Sequence, residues 1–186
     1  MISAIVAVDE NYGIGFNGSL LECIPADLKH FKELTENNIV VMGRKTQESL
    51  SDKRLPNRRN IVITNQEKDD EDENEVYYIN LKDVIHLLDV AKIYSAGYDR
   101  WKSLSSDKTL PKLKDIFIIG GGSIYYQLLE YCDRIYLTKV YKHHDDIDTY
   151  FPNISQMENE WELTFADSAQ EYNGIKYQFM IYDRKS

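Results

Sequence analysis

Four short apolar runs rich in isoleucine and valine constrain the fold of this chain most strongly. They occupy residues 1–8, 39–42, 60–64 and 116–119, and each is almost continuously hydrophobic. Runs of this kind are typical of strands buried on both faces of a parallel sheet, whereas half-buried strands alternate between apolar and polar residues. Helical patterns separate the four runs. The sequence therefore predicts an α/β fold.

The segments between the apolar runs show helical features. Pro25 stands at a favoured first-turn position, and the apolar spacing after it predicts a helix over 25–35. Two shorter helices are predicted over 44–50 and 123–131, each after a glycine-containing turn. A further helix is predicted over 81–88, followed by an irregular stretch.

The C-terminal third has a different pattern. Residues 134–141 alternate loosely, and residues 161–165 and 175–182 have the character of two more strands. Asn173-Gly174 lies before the last strand, and this dipeptide between strands is a strong hairpin signal. We therefore predict a mixed, mostly parallel central sheet with flanking helices and an antiparallel C-terminal edge hairpin.

The length and charge of the chain exclude several classes of protein. Its 186 residues fit a single domain, 1–186. Lys and Arg number 22 against 31 Asp and Glu, so the net charge is −9, whereas a non-specific nucleic-acid or membrane binder needs a basic face. This charge leads us to expect no nucleic-acid partner. We also expect no membrane partner, because the first apolar run is too short for a signal peptide and no stretch approaches the ~20 residues of a membrane span.

Metal and disulfide chemistry are not expected. Cys23 and Cys132 lie far apart, without the spacing of a zinc site or a redox pair, so we expect free thiols in a reducing cytoplasm. Residues 67–75 are a run of charges, which we interpret as a solvated loop because a calcium loop needs spaced ligands and a central glycine. We predict no metal.

A glycine triplet, Gly120-Gly121-Gly122, follows an apolar strand and precedes a helix. Glycine lets the backbone approach a pyrophosphate closely, and a helix N-terminus presents free N–H groups to it. A tight strand-to-helix turn explains the triplet equally well, since the following residues depart from the GxGxxG fingerprint.

A second candidate anion site begins at Gly43. Arg44, Lys45 and Thr46 bring two cations and a hydroxyl to the start of a helix. Two such sites at strand ends suggest a ligand with phosphates at two points, and a dinucleotide with an additional phosphate fits this description. The alternative is a solvent-facing pair of cations.

Asp27 is the candidate acid. It shares one flank of the predicted helix with Leu28 and Phe31, and a carboxylate beside apolar side chains is poised for a raised pKa. Such a group could pair with a planar, amidine-like ring. The alternative is that Asp27 only complements the helix dipole.

Taken in order along nearly the whole chain, these segments resemble the dihydrofolate reductase family. No single motif is specific, but the ordered set is. Its members are Ala7, Ile14-Gly15, Pro25-Ala26-Asp27-Leu28 with Phe31, Met42-Gly43-Arg44-Lys45-Thr46 with Glu48-Ser49, Leu55-Pro56-Asn57-Arg58-Arg59-Asn60-Ile61-Val62, Ile118-Ile119-Gly120-Gly121-Gly122-Ser123-Ile124-Tyr125, Tyr136-Leu137-Thr138 and Asp148-Thr149-Tyr150-Phe151-Pro152.

The resemblance implies NADPH-dependent reduction of 7,8-dihydrofolate to tetrahydrofolate, with hydride delivered to pterin C6 and a proton at N5. Asp27 and Thr138 would be the catalytic pair at the pterin. The substrate-binding residues would be Ile5, Leu28 and Phe31 around the rings and Arg58 at the glutamate carboxylate. The enzyme would act as a cytoplasmic monomer on this small-molecule substrate.

The resemblance also implies where NADPH would bind. An adenosine-binding half would cover about residues 38–115, with a cis peptide bond between Gly120 and Gly121. The implied cofactor-binding residues are Ala7, Ile14, Gly43, Arg44, Lys45, Thr46, Thr64, Asn65, Gly120, Gly121, Gly122, Ser123 and Tyr125.

One departure from the family pattern concerns the substrate pocket. The family usually has Pro-Trp where this chain has Leu21-Glu22. If Glu22 points inward, its charge would raise the pKa of Asp27 and displace the pH–rate profile upward. The alternative is that Glu22 faces water and only weakens closure over the substrate.

Two other functions remain open at this stage. A pyrimidine reductase of flavin biosynthesis shares the fold but would not need Arg58 or the pairing of Asp27 with Thr138. A non-catalytic pterin- or nucleotide-binding descendant is conceivable because of Glu22, although the retained glycine triplet weighs against it.

Overall fold

The apolar runs form the middle of a large sheet in the computed structural model, which describes residues 1–66, 76–104 and 114–185. The strands in these ranges are β1 (Ile2–Val8), β2 (Gly13–Phe16), β3 (Ser19–Leu20), β4 (Ile39–Gly43), β5 (Arg59–Ile63), β6 (Val76–Ile79), β7 (Ile116–Gly120), β8 (Arg134–Tyr141), β9 (Thr149–Tyr150), β10 (Trp161–Ala166), β11 (Gln170–Tyr172) and β12 (Ile175–Arg184). The helices are α1 (Pro25–Thr35), α2 (Arg44–Ser49), α3 (Leu81–Leu104) and α4 (Gly122–Leu128), with short 3-10 turns at Leu129–Tyr131 and Ile154–Gln156.

The central sheet is mixed and mostly parallel, which confirms the predicted fold class. Its order, over the described part of the chain, is β10-β12-β8-β1-β7-β4-β5-β6, with β11 beside β12. Every pair from β8 to β6 in this order is parallel. Strand β12 pairs antiparallel with β8, β10 and β11. The sheet therefore changes from parallel to antiparallel at its C-terminal edge.

The C-terminal edge contains the predicted hairpin with one additional strand. Asn173 and Gly174 both have positive φ, 50° and 77°, as a two-residue type I′ turn requires. This turn joins β12 to the short strand β11, and β10 pairs with the far half of β12. The predicted strands over 161–165 and 175–182 are confirmed and are one or two residues longer than expected.

Helix α3 is much longer than predicted, so the expected irregular stretch is wrong for residues 89–104, and residues 105–113 of that stretch lie outside the described residues. Val84 and Leu88 are fully buried, but Val90, Ile93 and Tyr94 in the following turns are exposed. The apolar periodicity fades where the helix stops burying its apolar side chains. A helix predicted from one apolar face is therefore too short at its C-terminal end. The predicted solvated loop over 67–75 lies outside the described residues.

A second, three-stranded sheet, β3-β2-β9, was not predicted. Gly13 pairs with Tyr150 and Gly15 with Thr149, and the N–H of Asp148 donates to the Gly15 carbonyl at 3.2 Å. Strands of two to four residues that contain glycine are too short for periodicity to reveal them. This small sheet joins the segment after β1 to the segment after β8.

The described ranges contain neither a membrane-spanning helix nor a cluster of metal ligands. No helix there is long and apolar enough to cross a bilayer. In the same ranges no group of three or more His, Cys, Asp or Glu side chains could hold a metal ion. Both cysteines are free thiols, with Cys23 exposed and Cys132 buried.

Candidate active site

The candidate site lies where the carboxyl ends of the parallel strands meet the starts of the helices. Strand β4 leads directly into α2 and β7 into α4, while the chain leaving β1 passes through the small sheet before it enters α1. Open α/β sheets bind ligands outside this end of the sheet, because the helix N-termini and loops converge there. The polar residues singled out in the sequence are distributed along this edge.

Asp27 and Thr138 are in direct contact. The Thr138 hydroxyl donates to Asp27 Oδ1 at 2.6 Å, and Thr138 is buried between its strand partners Ala7 and Phe179. Burial raises the pKa of Asp27, while the Thr138 hydrogen bond and the nearby His30 oppose this rise. Asp27 is therefore a carboxyl group that holds its proton more readily than a solvated one.

A cleft lined in part by Asp27 opens beside this pair, and its space of about 310 Å³ includes a part that is open to solvent. It combines a largely apolar wall with few polar groups, as ligand sites commonly do. The residues lining it are Ala7, Val8, Asp9, Gly13, Ile14, Leu20, Leu21, Glu22, Ile24, Asp27 and Val140. Ala7 and Ile14, two of the predicted cofactor contacts, thus lie on the same cleft as the candidate acid.

The predicted substrate contacts lie on and beneath α1. Leu28 is 43% exposed, so its side chain is accessible to a ligand. Phe31 packs against the cluster that contains Ile5, which is itself buried. These three residues can form an apolar surface next to Asp27, although Ile5 contributes mainly from below.

Arg58 is buried and oriented by the end of α1. Its Nε donates to Thr35 Oγ1 and its Nη1 to the Pro56 carbonyl, each at 2.8 Å, and its guanidinium lies 5.9 Å from the centre of the Phe31 ring. Burial lowers the pKa of Arg58, and the charge of Glu36 opposes this effect. Among the described residues, these bonds leave Nη2 without a protein acceptor, so it can bind an anionic ligand.

The two predicted phosphate sites are adjacent in space. A Cβ placed on Gly121 would lie 3.3 Å from Thr46 Oγ1, and one on Gly43 would lie 3.0 Å from Ile124 and 3.9 Å from the Gly121 nitrogen. The starts of α2 and α4 therefore face each other across glycines. Backbone N–H groups at both helix starts and the Thr46 hydroxyl therefore lie close together, and groups of this kind are the donors that commonly bind phosphates.

The other predicted phosphate-binding residues lie on α2 and directly after β5. Arg44 forms an ion pair with Glu48 at 2.6 Å, one turn further along α2, while Lys45 is exposed. Thr64 Oγ1 accepts the N–H of Gln66 at 3.1 Å, and Asn65 is exposed at the end of β5. To bind a ligand phosphate, Arg44 must either keep Glu48 as a second partner or break this ion pair.

The glycine triplet also has a packing role. The Gly120–Gly121 peptide is cis, as the resemblance implies, and Gly120 has a φ of +117°. A Cβ on Gly122 would approach Thr149 Cγ2 and the Tyr150 carbonyl at 3.0 Å. The packing explanation therefore holds for Gly122, while binding of a phosphate by the triplet stays a prediction.

Tyr125 and Ser123 differ in accessibility. Tyr125 is 3% exposed, and its hydroxyl donates to the Ile5 carbonyl at 2.6 Å. It supports β1 and the Gly120 turn from behind, and burial raises its pKa well above the ordinary value. Ser123 is exposed at the start of α4, and its Oγ accepts from Gln127 Nε2 at 2.9 Å.

Glu22 is neither an isolated inward-pointing charge nor a residue that simply faces water, which are the two alternatives drawn from the sequence. It lines the cleft with Asp27, but its Oε1 accepts hydrogen bonds from Lys142 and from His144 Nε2, the latter at 2.9 Å. Burial alone would raise the pKa of Glu22, but these two partners outweigh burial and lower it. Glu22 is thus compensated by Lys142 and by a hydrogen bond from His144 rather than left as an isolated charge beside Asp27.

Sequence reasoning missed the partners of Glu22. His144 Nδ1 also lies 3.4 Å from Oδ2 of Asp9, a buried carboxylate whose other oxygen accepts the N–H groups of Asn11 and Gly13 at 2.8 Å. No local spacing links residues more than 120 positions apart. The pair of histidines at 143–144 is a weak signal, because nothing in its local sequence points to Glu22.

Comparisons with known proteins agree with this geometry. A family model described as dihydrofolate reductase matches residues 1–184. Among curated relatives, dihydrofolate reductase from Bacillus subtilis (strain 168) is 34% identical over 100% of this chain and 96% of its own length. Dihydrofolate reductase from Buchnera aphidicola subsp. Schizaphis graminum is 38% identical over 96% of this chain and 94% of its own length.

A solved structure is similar over the same extent. It is dihydrofolate reductase from Enterococcus faecalis complexed with NADP(H) and RAB-propyl, which aligns with a TM-score of 0.75 at 28% identity. The alignment covers 100% of this chain and 97% of the neighbour. With the family model matching nearly every residue, the chain belongs to the dihydrofolate reductase family.

Proposed function

We propose that this protein reduces 7,8-dihydrofolate to 5,6,7,8-tetrahydrofolate with NADPH. The observation that carries the proposal is the 2.6 Å hydrogen bond between Thr138 and Asp27, on a cleft at the carboxyl end of β1. NADPH, when bound, supplies the hydride that leaves nicotinamide C4 for pterin C6. The protein contributes orientation, exclusion of water and one proton-holding group, since the redox chemistry is the cofactor's.

Asp27 is the residue that recognises the pterin. A carboxylate presents two acceptor oxygens in one plane, which matches the 2-amino group and N3 of the pterin ring. Thr138 occupies one Asp27 oxygen and so fixes the orientation of the carboxyl group. Because burial raises the pKa of Asp27, a proton shared between Asp27 and the bound pterin persists to higher pH, which favours protonation at N5.

The rest of the substrate follows the surface of α1. Leu28, Phe31 and Ile5 would pack on the pterin and benzoyl rings. Arg58 would bind the glutamate α-carboxylate as a bidentate pair, a geometry that Arg supplies and Lys does not. Its Nε and Nη1 bonds to Thr35 and Pro56 hold the guanidinium in place before substrate arrives.

The residues present fit NADPH. Thr46, Gly121, Gly122 and Ser123 would hold the pyrophosphate, and a Cβ at Gly121 or Gly43 would occupy the space that it needs. Arg44, Lys45, Thr64 and Asn65 would hold the 2′-phosphate on the adenosine-binding half, about residues 38–115. Ala7 and Ile14 would contact the nicotinamide, with Gly120 and Tyr125 behind them.

We further propose a single domain, 1–186, that acts as a monomer in the cytoplasm on a small-molecule substrate. Two free thiols support a reducing compartment. The net charge of −9 opposes binding to other polyanions, so NADPH depends on the local cations of α2.

The decisive experiment follows the nicotinamide absorbance after the protein is mixed with NADPH and dihydrofolate. We expect NADPH oxidation that requires dihydrofolate, and none with a ribosylated pyrimidine, because a pyrimidine reductase would not need Arg58 or the Asp27–Thr138 pair. Thr138→Val, which removes only the hydroxyl bonded to Asp27, should lower the rate. Turnover of the pyrimidine, or of neither compound, would overturn the proposal.

A further inference from the structure

Four charged or titratable side chains form a cluster at the edge of the cleft, and the reaction described above uses none of them. The cluster consists of Asp9 after β1, Glu22 between β3 and α1, and Lys142 and His144 after β8; we call it the Glu22 cluster. Three separate segments of the chain therefore meet there. Side-chain exposure is 1% for Asp9, 14% for His144 and 18% for Glu22, so the carboxylates and the imidazole are largely removed from water.

The cluster joins the segment of the cleft wall between β3 and α1 to the segment that follows β8. Residues 20–24 contribute Leu20, Leu21, Glu22 and Ile24 to the wall of the cleft. The described hydrogen bonds that tie Glu22 to the rest of the fold come from Lys142 and His144, which directly follow β8 in the middle of the sheet. Asp9 is held independently, because two backbone N–H groups and the turn around it fix its carboxylate.

We propose that Glu22 is a positioning residue: bound by His144 and Lys142, it fastens the cleft wall 20–24 to β8, and His144 extends this attachment to Asp9. The proposal rests on the proposed function, since it assigns these residues to orientation of the dihydrofolate and nicotinamide pocket. Glu22, which stands where the family usually has tryptophan, thereby has a structural role of its own.

The bridging role of His144 depends on its protonation. A neutral imidazole has one N–H, so it can donate to Glu22 or to Asp9 but not to both. The imidazolium donates to both, and it also balances the second carboxylate, since Lys142 balances only one. Lys139 adds some electrostatic compensation at Asp9, but it makes no hydrogen bond to either carboxylate, because its Nζ is bonded to the backbone carbonyls of Asp9 and Glu10. The attachment is therefore strongest when His144 is charged.

The test uses Glu22→Gln, His144→Gln and their combination, with His143→Gln as a matched control. His143 is the adjacent residue of the same type, but it contacts Asn11 and Asp145 instead of Glu22. We expect each single variant of the pair to lower kcat/KM for dihydrofolate about tenfold, the scale of one lost charge-assisted hydrogen bond. The loss in the double variant should be smaller than the product of the two single losses, because both substitutions remove the same Glu22–His144 interaction. The control should match the wild type.

Two further readouts separate positioning from a general structural effect. The ratio of kcat/KM between wild type and His144→Gln should fall as pH rises from about 5.5 to about 8.5, the range in which imidazoles ordinarily titrate. Amide hydrogen exchange of residues 20–24, measured without substrate or NADPH, should be faster in both single variants than in the control.

Additive losses, a ratio that does not change with pH, or exchange rates equal to those of the control would overturn the proposal. The exchange measurement needs no turnover. If the wild type failed to reduce dihydrofolate, the proposed function would fail, while the attachment of residues 20–24 would still be tested by exchange.

Discussion

At the scale of single residues, Asp27 combines a cost in stability with a role in chemistry. Its pKa is raised by burial, so the folded state favours the protonated carboxyl and becomes less stable as pH rises from the unfolded-state value through the folded-state value. Above both values the loss is complete. An active-site carboxylate that is buried before ligand binds is therefore expected to reduce the free energy of unfolding at neutral pH.

The upward shift of the Asp27 pKa leads to a prediction for the stability of Asp27→Asn. Asparagine cannot ionise but can still accept the Thr138 hydrogen bond through its carbonyl oxygen. We expect the variant to have a higher free energy of unfolding than wild type near pH 7, and the difference to shrink toward about pH 4, where about half of the unfolded carboxyls are protonated. Urea unfolding of the ligand-free proteins at both pH values measures it. A variant less stable than wild type at neutral pH would contradict the raised pKa.

Arg58 supports a second prediction at this scale. Lysine keeps the charge but cannot form the planar bidentate pair or retain both bonds to Thr35 and Pro56. For Arg58→Lys we expect KM for dihydrofolate to rise about tenfold or more, with a smaller change in kcat. A dihydropterin without the glutamate tail serves as the control substrate. Equal losses for both substrates would show that Arg58 does not bind the tail.

At the scale of elements, the starts of α2 and α4 form one groove because glycines stand where side chains would block it. Gly121 and Gly122 are adjacent but have different surroundings. A Cβ on Gly121 meets only the rotatable Thr46 hydroxyl at 3.3 Å, whereas one on Gly122 meets the Tyr150 carbonyl of the backbone at 3.0 Å. Ligand access and packing can therefore be separated by two matched substitutions.

For Gly121→Ala we expect Kd for NADPH to rise about tenfold, the scale of one lost phosphate contact, with little change in stability. For Gly122→Ala we expect a loss of about 1–3 kcal/mol in the free energy of unfolding, because backbone must shift to admit the methyl group. Isothermal titration and urea unfolding of both variants test this. The reverse pattern would show that the pyrophosphate does not lie over Gly121.

The cations of α2 support a prediction on cofactor choice. Replacing both Arg44 and Lys45 by Gln should reduce the preference for NADPH over NADH by at least about tenfold, because no charge-assisted bonds to the 2′-phosphate remain. Lys53→Gln, in the exposed loop after α2, is the control and should keep the wild-type preference. Steady-state kinetics with both cofactors measure the ratio. Discrimination that survives the double change would remove these residues from the phosphate site.

At the scale of the whole molecule, regular patterns were predictable and long-range contacts were not. The runs at 1–8 and 116–119 predicted β1 and β7 because buried strands have a distinctive composition. The second half of α3 and the small β3-β2-β9 sheet were missed, since neither has enough periodic residues to show a face. A local pattern of apolar residues shows which part of one helix or strand is buried, and it does not show which distant residues that part contacts.

The candidate site divides in the same way. Asp27 and Thr138 were paired through the family resemblance, and the structure places them in contact. The contact between Glu22 and His144 joins positions 122 residues apart, and no local pattern encodes it. Only the fold, which brings the end of β8 beside the loop before α1, places these groups together.

The central claim is that the Asp27 carboxyl group holds the pterin and the proton shared with it. The direct measurement is the pH profile of kcat/KM for dihydrofolate in wild type and Asp27→Asn. We expect wild type to reach a plateau on the acid side, because the Asp27–pterin pair is then fully protonated. The variant should be slower by at least about 100-fold at neutral pH and should keep gaining rate as pH falls, since only substrate protonated in solution then reacts. A variant that retained the wild-type plateau and rate would contradict the account.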